Sequence, residues 1–157
     1  MEGLTARLAM EEMQETPLLQ YQALAEFRYQ IRKFLHFSEM AAQAAGLEPQ
    51  QHQLLLIVKG FRERAEGPTI GYIAERLQVR HHSAVELVTR MEARGFVFRR
   101  TGNRDRRKVI VALTNTGETL LKTLSPHHIA EIREIAPALV AALHQVLDAC
   151  PGGGEDS

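Results

Sequence analysis

The sequence feature that most constrains the fold is a change of hydrophobic period at Gly95. Before this glycine, Val85, Val88 and Met91 recur at helical spacing, which predicts a helix from about 81 to 94. After it, residues 96–100 and 108–113 are rich in Phe, Val and Ile with polar residues between them, which predicts two strands. The connecting residues have turn chemistry at Gly102-Asn103. The chain is therefore expected to join a helix directly to a β-hairpin.

Three further helices are predicted before this point. Apolar residues recur at helical spacing from Pro17 to about residue 45, where Gly46 is a suitable terminator, and Pro49 then opens a helix over about 50–61. Thr69 is a good N-cap for a short helix that ends at a turn over 78–80. This short helix and the helix predicted over about 81–94, joined by such a short turn, predict a helix-turn-helix.

The hairpin is followed by two more predicted helices. Thr114 is expected to cap the first, and the second is expected over about 126–149, bent or divided at Pro137. We therefore predict a mostly α fold with a small β-hairpin. Residues 1–149 would form one module, with a winged helix-turn-helix region over 50–117 and a flexible tail over 150–157. Apolar residues left over on helices 17–45 and 126–149 predict that these two helices form a dimer interface.

Positive charge is concentrated in one part of the chain. The whole sequence has a formal net charge of zero, yet residues 76–108 contain ten Arg or Lys residues and only three acidic ones, a net charge of +7. Such asymmetry predicts a basic surface that binds a polyanion. A recognition helix followed by a basic hairpin can contact the major groove of duplex DNA and its phosphates together.

Other classes of protein are not expected. The sequence has no nucleophile elbow, zinc-ligand spacing or phosphate-binding loop, so neither an enzyme nor a cofactor or metal is predicted. It also has no apolar run long enough to span a membrane. The acidic first twenty residues do not resemble a secretion signal, and the single cysteine, Cys150, cannot form an internal disulfide. A cytoplasmic location is therefore expected, with a redox role for Cys150 left open.

Several motifs between residues 87 and 117 resemble those of the MarR family of transcriptional regulators. The matching elements are LVTRMEARGFVFR at 87–99, the D-x-R of Asp105 and Arg107, and Leu113-Thr114-x-x-Gly117. The sequence departs from the family pattern at Gly102, where many members have an acidic residue, and at His81-His82, where small hydroxylated residues are common. The resemblance implies a homodimer that binds a pseudo-palindromic DNA operator, usually as a repressor. It also implies a small aromatic or anionic effector that releases the DNA.

The residues expected to contact DNA lie on the recognition helix and in the hairpin. They are His81, His82, Ser83, Arg90, Arg104, Arg106 and Arg107. Asp105 is expected to orient Arg107 toward the minor groove through a charge-assisted pair. Arg90 has two alternatives: an i, i+4 pair with Glu86, or a contact with phosphate or the Asp105 region.

An effector site is also predicted, on the first two helices. His36, Phe37 and His52 are its candidate lining residues, and ordinary helix packing is the alternative for all three. The alternative function for the whole chain is a winged-helix module that binds protein or RNA without recognising an operator. Three arginines in the hairpin argue against a protein partner, because a protein-binding wing does not need concentrated positive charge.

Overall fold

The computed structural model describes residues 17–62 and 66–149. In the described chain, five α-helices accompany one antiparallel pair of strands, which confirms the predicted mostly α fold with a β-hairpin. The elements, in chain order, are α1 (Leu18–Ala44), α2 (Pro49–Gly60), α3 (Ile70–Leu77), α4 (His81–Ala93), β1 (Val97–Thr101), β2 (Val109–Leu113) and α5 (Asn115–Ala149). The tail over 150–157, with Cys150, lies outside the described residues.

The chain divides into two compact units. The central unit comprises residues 35–132 apart from 63–65, and the terminal-helix unit comprises 17–34 and 133–149. The central unit contains the core, whose largest fully buried apolar side chains come from α2, α3, α4 and both strands: Leu54, Leu55, Ile73, Leu87, Val88, Met91, Val97, Ile110 and Val111. Burial of these side chains supplies the main stabilising free energy of the unit.

Helices α3 and α4 form the predicted helix-turn-helix. The Thr69 hydroxyl caps α3 by accepting a hydrogen bond from the backbone N–H of Tyr72 at 3.2 Å. The helix ends at Gln78, which has a left-handed φ of 55°. Helix α4 begins three residues later, and Gly95, with a φ of 75°, follows its last turn. These local signals fix the lengths of both helices and of the turn between them.

The hairpin pairs β1 with β2 from Val97 opposite Leu113 to Thr101 opposite Val109. A short segment preceding α3 adds to the other edge of β2. Thr69 forms a bridge with Ile110, and the backbone N–H of Val111 donates to the Pro68 carbonyl at 3.0 Å. Because β2 is paired on both sides at Ile110 and Val111, the part of the hairpin next to its loop is tied to the start of the helix-turn-helix.

The base of the hairpin is closed by contacts between the end of α4 and the start of α5. The Thr114 hydroxyl donates to the Gly95 carbonyl at 2.6 Å and accepts from the Gly117 N–H at 3.1 Å, so Thr114 caps α5 as predicted. A Cβ atom at position 117 would lie 2.2 Å from the Phe96 carbonyl oxygen. Glycine is therefore required at this close approach.

The prediction of two separate helices after the hairpin is wrong. Helix α5 runs without interruption from Asn115 to Ala149, through both Pro126 and Pro137. A proline removes one N–H donor from a helix and can bend it, but it does not have to end it. Leu124 and His128, on either side of Pro126, are both buried, and this packing supports the helix across the proline.

In the terminal-helix unit, the segments 17–34 and 133–149 leave much apolar surface uncovered. Ala23 and Ala142 are buried, and the Gln20 side chain donates to the Ala149 carbonyl at 2.7 Å. Large apolar side chains on both segments remain exposed, namely Leu18, Leu19, Tyr21, Leu24, Tyr29, Val140, Leu143 and Leu147. Across residues 17–62 and 66–149, every helix is too short or too polar to cross a bilayer.

Candidate nucleic-acid interface

The amino-terminal end of α4 presents the side chains that were predicted to reach DNA bases. His81 and His82 are exposed, Ser83 is half-buried, and Arg90 is exposed two turns further along. The opposite face of the helix packs into the core through Ala84, Leu87, Val88 and Met91. Within the described chain, Arg90 forms no ion pair with Glu86, so that alternative is not supported.

Three of the ten basic residues in 76–108 bond to residues on other segments of the chain. Arg94 donates to the Gln51 side-chain oxygen at 2.7 Å and to the Gly46 carbonyl at 2.8 Å. Arg100 donates to the Glu66 carbonyl, and Arg99 pairs with Glu92. The other seven are exposed: Arg76, Arg80, Arg90, Arg104, Arg106, Arg107 and Lys108. The net positive charge of the sequence segment therefore includes residues with structural roles.

The Arg99–Glu92 pair joins β1 to α4. The Glu92 carboxylate accepts from both the backbone N–H and the guanidinium of Arg99, and that guanidinium also donates to the Thr89 hydroxyl at 2.8 Å. The backbone hydrogen bond from Arg99 is the main cause that lowers the pKa of Glu92, and the Arg99 side chain adds to it against the effect of burial. These contacts couple the orientation of the hairpin to that of α4.

The hairpin loop has a compact conformation organised by Asp105. Its carboxylate accepts from the backbone N–H of Arg107 at 3.0 Å and from the Arg107 Nε at 3.4 Å. Its carbonyl accepts from the Lys108 N–H at 3.1 Å, so Arg106 and Arg107 occupy the central positions of a turn. The hydrogen-bonded turn thus lies beyond the predicted Gly102-Asn103, although the chain also bends at Asn103.

Gly102 is required by the close approach of the loop to itself. Its N–H donates to the Lys108 carbonyl at 2.9 Å, and a Cβ atom at this position would lie 2.7 Å from the Asp105 carbonyl oxygen. The loop also receives a contact that sequence reasoning missed, from the Glu66 carboxylate to the backbone N–H of Arg104. No local spacing signals this contact, because the two residues are 38 positions apart in the sequence.

The predicted effector residues are only partly brought together. The Phe37 ring lies edge-on to the His128 ring at a centroid distance of 5.9 Å, and the His52 and His128 rings are 4.4 Å apart. His36 is exposed. His128 was not among the predicted residues, although it is buried and its Nδ1 lies 3.0 Å from the Leu124 carbonyl.

The buried imidazoles of His52 and His128 each have a ring nitrogen that makes no hydrogen bond to the described residues. In the described part of the chain, the Nε2 atoms of His52 and His128 are buried and have no hydrogen-bond partner. Burial, with a smaller effect from the neighbouring His128, lowers the pKa of His52 to about 4. His52 is therefore neutral at pH 7. No group of three or more metal-ligating side chains occurs among residues 17–62 and 66–149.

Comparisons with known proteins agree with this geometry. Residues 45–108 match the family model described as the MarR family. AbsC, a MarR family transcriptional regulator from Streptomyces coelicolor, is similar in structure with a TM-score of 0.70 and 22% identity, over 88% of this chain and 94% of AbsC. A comparison with curated protein sequences finds no match.

Two further solved structures that share the fold are complexes. The Staphylococcus aureus MepR–DNA complex has a TM-score of 0.54 and 19% identity, over 73% of this chain and 82% of MepR. CouR from Rhodococcus jostii RHA1, bound to p-coumaroyl-CoA, has a TM-score of 0.58 and 23% identity, over 78% of this chain and 88% of CouR.

Proposed function

We propose that this chain is a double-stranded DNA-binding transcriptional regulator of the MarR family, because residues 45–108 match the MarR family model and AbsC, a MarR family transcriptional regulator, has a similar structure. The observation that carries this proposal is the placement of exposed basic side chains on two neighbouring elements. Arg90 lies on the recognition helix, and Arg104, Arg106 and Arg107 lie in the hairpin loop. A helix that carries exposed polar side chains at its amino-terminal end and a basic wing suits the two grooves of duplex DNA.

In this proposal, the two elements have different tasks. His81, His82 and Ser83 read base edges in the major groove, where each base pair has a distinct pattern of donors and acceptors. Arg90, Arg104 and Arg106 contact phosphates, while Arg107, held by Asp105, enters the minor groove. The basic side chains supply affinity and the helix supplies sequence preference.

We further propose that the protein acts as a homodimer on a pseudo-palindromic operator, as a repressor. Exposed apolar side chains on residues 17–34 and 133–149, such as Leu24 and Leu143, support the dimer, because such surface is unfavourable in water. A two-fold dimer presents two recognition helices to two half-sites. Repression follows when the occupied operator overlaps a promoter.

The test is selection of bound duplexes from a randomised DNA library, followed by affinity measurements over about 50–200 mM salt. We expect a pseudo-palindromic consensus, two chains per duplex and a steep loss of affinity with salt. Arg106→Ala should lower the slope of log affinity against log salt by about 0.9, because one phosphate contact is lost. Lys122→Ala removes an exposed positive charge from α5 and should leave the slope unchanged.

Other results would contradict the proposal. Absence of any selected sequence, together with binding that is no stronger for duplex DNA than for RNA, would favour the alternative of a protein- or RNA-binding winged helix. A single chain on each duplex would contradict the homodimer. A slope that is the same for the wild type and Arg106→Ala would remove Arg106 from the interface.

We propose a small aromatic or anionic effector as the signal that releases DNA. His52, Phe37 and the additional His128 support a site in the central unit, because the two buried Nε2 atoms have no hydrogen-bond partner among residues 17–62 and 66–149. His36 stays a candidate only at the exposed edge of α1. An effector of this kind would act by stabilising a conformation with low DNA affinity.

A panel of aromatic carboxylic acids tests the effector proposal. We expect at least one compound to raise the melting temperature of the protein and to weaken DNA binding, with a coupling free energy of about 1–3 kcal/mol. His52→Leu should abolish both effects of that compound. A panel that changes neither the melting temperature nor the DNA affinity would contradict the proposal.

A further inference from the structure

The segment before α3 holds Glu66 against the hairpin. Pro68 and Thr69 pair with β2 through the Val111 N–H and the bridge to Ile110. Gly67 has a φ of +104°, and a Cβ atom at this position would lie 2.7 Å from the Ile110 side chain. This backbone conformation and close approach both require glycine. The position of Glu66 beside the hairpin is therefore set by the backbone that follows it.

Glu66 contacts the hairpin at two places. Its carbonyl accepts from the guanidinium of Arg100 on β1, and its carboxylate accepts from the backbone N–H of Arg104 at 2.7 Å. Arg104 lies in the part of the loop that has no partner in the β-ladder. The Glu66 carboxylate therefore satisfies a backbone donor that neither strand can satisfy.

The same carboxylate lies beside the tightest part of the loop. Its second oxygen is 3.5 Å from the position that a Cβ atom of residue 102 would occupy, on the side where the loop packs on the Asp105 carbonyl. Glu66 and Asp105 thus fix the backbone of the loop at successive points, Glu66 at Arg104 and Asp105 at Arg107. The arginines of the loop are carried on a backbone that two carboxylates hold in place.

We propose that Glu66 is a positioning residue for DNA binding, which holds the loop so that Arg106 and Arg107 are presented to the duplex. The inference rests on the proposed function. A carboxylate close to a DNA-binding loop repels phosphate, so its charge alone would weaken binding. Its hydrogen bond to Arg104 acts in the opposite direction, because a loop that is already ordered loses less conformational entropy when it binds.

Three substitutions separate the hydrogen bond from the charge. Glu66→Gln keeps a side-chain oxygen that can accept from Arg104 and removes the charge. Glu66→Asp keeps the charge on a side chain one methylene shorter, which withdraws it from Arg104. Glu66→Ala removes both. Glu75→Ala, at an exposed position on α3, is the control for loss of one negative charge near the interface.

The first measurement uses NMR to monitor hydrogen exchange of the Arg104 backbone amide in the DNA-free protein. We expect the Arg104 amide to exchange at least about tenfold faster in Glu66→Ala and Glu66→Asp than in the wild type, because an amide exchanges only when its hydrogen bond is open. In Glu66→Gln we expect an exchange rate close to that of the wild type. Exchange in the α4 core, at Val88 and Met91, should not change in any variant.

The second measurement is affinity for the selected operator. We expect Glu66→Ala and Glu66→Asp to bind about threefold more weakly, with Glu66→Gln and Glu75→Ala equal to or slightly tighter than the wild type. If Glu66→Ala fails to fold, the comparison of Asp with Gln decides. Equal affinities for Asp and Gln, or tighter binding by Glu66→Ala, would overturn the inference. A wild type that binds no duplex would instead overturn the proposed function, and the exchange data would still report whether Glu66 holds the loop.

Discussion

Under the proposed function, Asp105→Ala is expected to weaken binding to duplex DNA about tenfold, although it removes a negative charge from the proposed DNA-binding loop. The Asp105 carboxylate accepts from the backbone N–H and the Nε of Arg107, and the Arg107 side chain is otherwise 94% exposed. Without this acceptor, Arg107 must be ordered by the DNA itself, and the loop loses the side-chain contact that shapes its turn. A tenfold loss corresponds to about 1.4 kcal/mol of binding free energy.

Asp105→Asn is the matched control for this prediction. Asparagine keeps a side-chain oxygen that accepts from the Arg107 N–H and carries no charge. We expect it to bind much more tightly than Asp105→Ala, measured by fluorescence anisotropy on the duplex selected from the library, with the oligomeric state and the melting temperature unchanged in both. If both variants bind more tightly than the wild type, the loop attracts DNA by charge alone and Asp105 has no role in its shape.

Acidification from pH 7 to 4 is expected to remove about 3 kcal/mol of the free energy of unfolding through His52 alone. The ordinary histidine pKa of 6.5 falls to about 4 in the folded protein, because the imidazole is buried beside His128. Below pH 6.5 the unfolded chain binds a proton that the folded chain does not bind. The stability that comes from keeping His52 neutral is therefore complete above pH 6.5 and is lost as the pH falls toward 4.

His52→Leu tests this assignment because leucine does not titrate. Urea unfolding of both proteins at several pH values gives the free energy of unfolding for each. We expect the wild type to lose up to about 3 kcal/mol more than His52→Leu between pH 6.5 and 4. Two parallel curves over this range would show that His52 is protonated in the folded protein as easily as in the unfolded chain.

The parts of the fold that were predicted correctly depend on local signals. Thr69 and Thr114 cap helices because a hydroxyl reaches an N–H within the next turn, and that geometry follows from sequence spacing. Gly46 and Gly95 end helices because glycine adopts positive φ without strain. The change of hydrophobic period after Gly95 predicted the hairpin because the alternation of apolar and polar residues along a strand is also a local pattern.

The parts that were missed depend on residues distant in sequence. His128 meets His52 and Phe37, and Glu66 meets Arg104, only once the helices and strands have packed. No spacing rule brings such pairs together. The error at Pro126 has a related cause, because burial of Leu124 and His128 outweighs one missing hydrogen bond, and burial is a tertiary property. In the loop, the hydrogen-bonded turn lies at Arg106-Arg107 and not at the predicted Gly102-Asn103. The reason is that the carbonyl and the carboxylate of Asp105 accept from the N–H groups of Lys108 and Arg107.

The closed base of the hairpin has a consequence for how this protein tolerates change over evolution. The Gly95 and Phe96 backbone meets Thr114 and Gly117 directly, so the two ends of the hairpin are fixed to each other independently of its tip. Insertions or exchanges within 103–107 therefore alter a surface loop without disturbing the core, whereas any side chain at position 117 displaces the first turn of α5. Changes in the tip can therefore alter the strength of DNA binding while the fold is retained, because the contacts that hold the fold lie at the base of the hairpin.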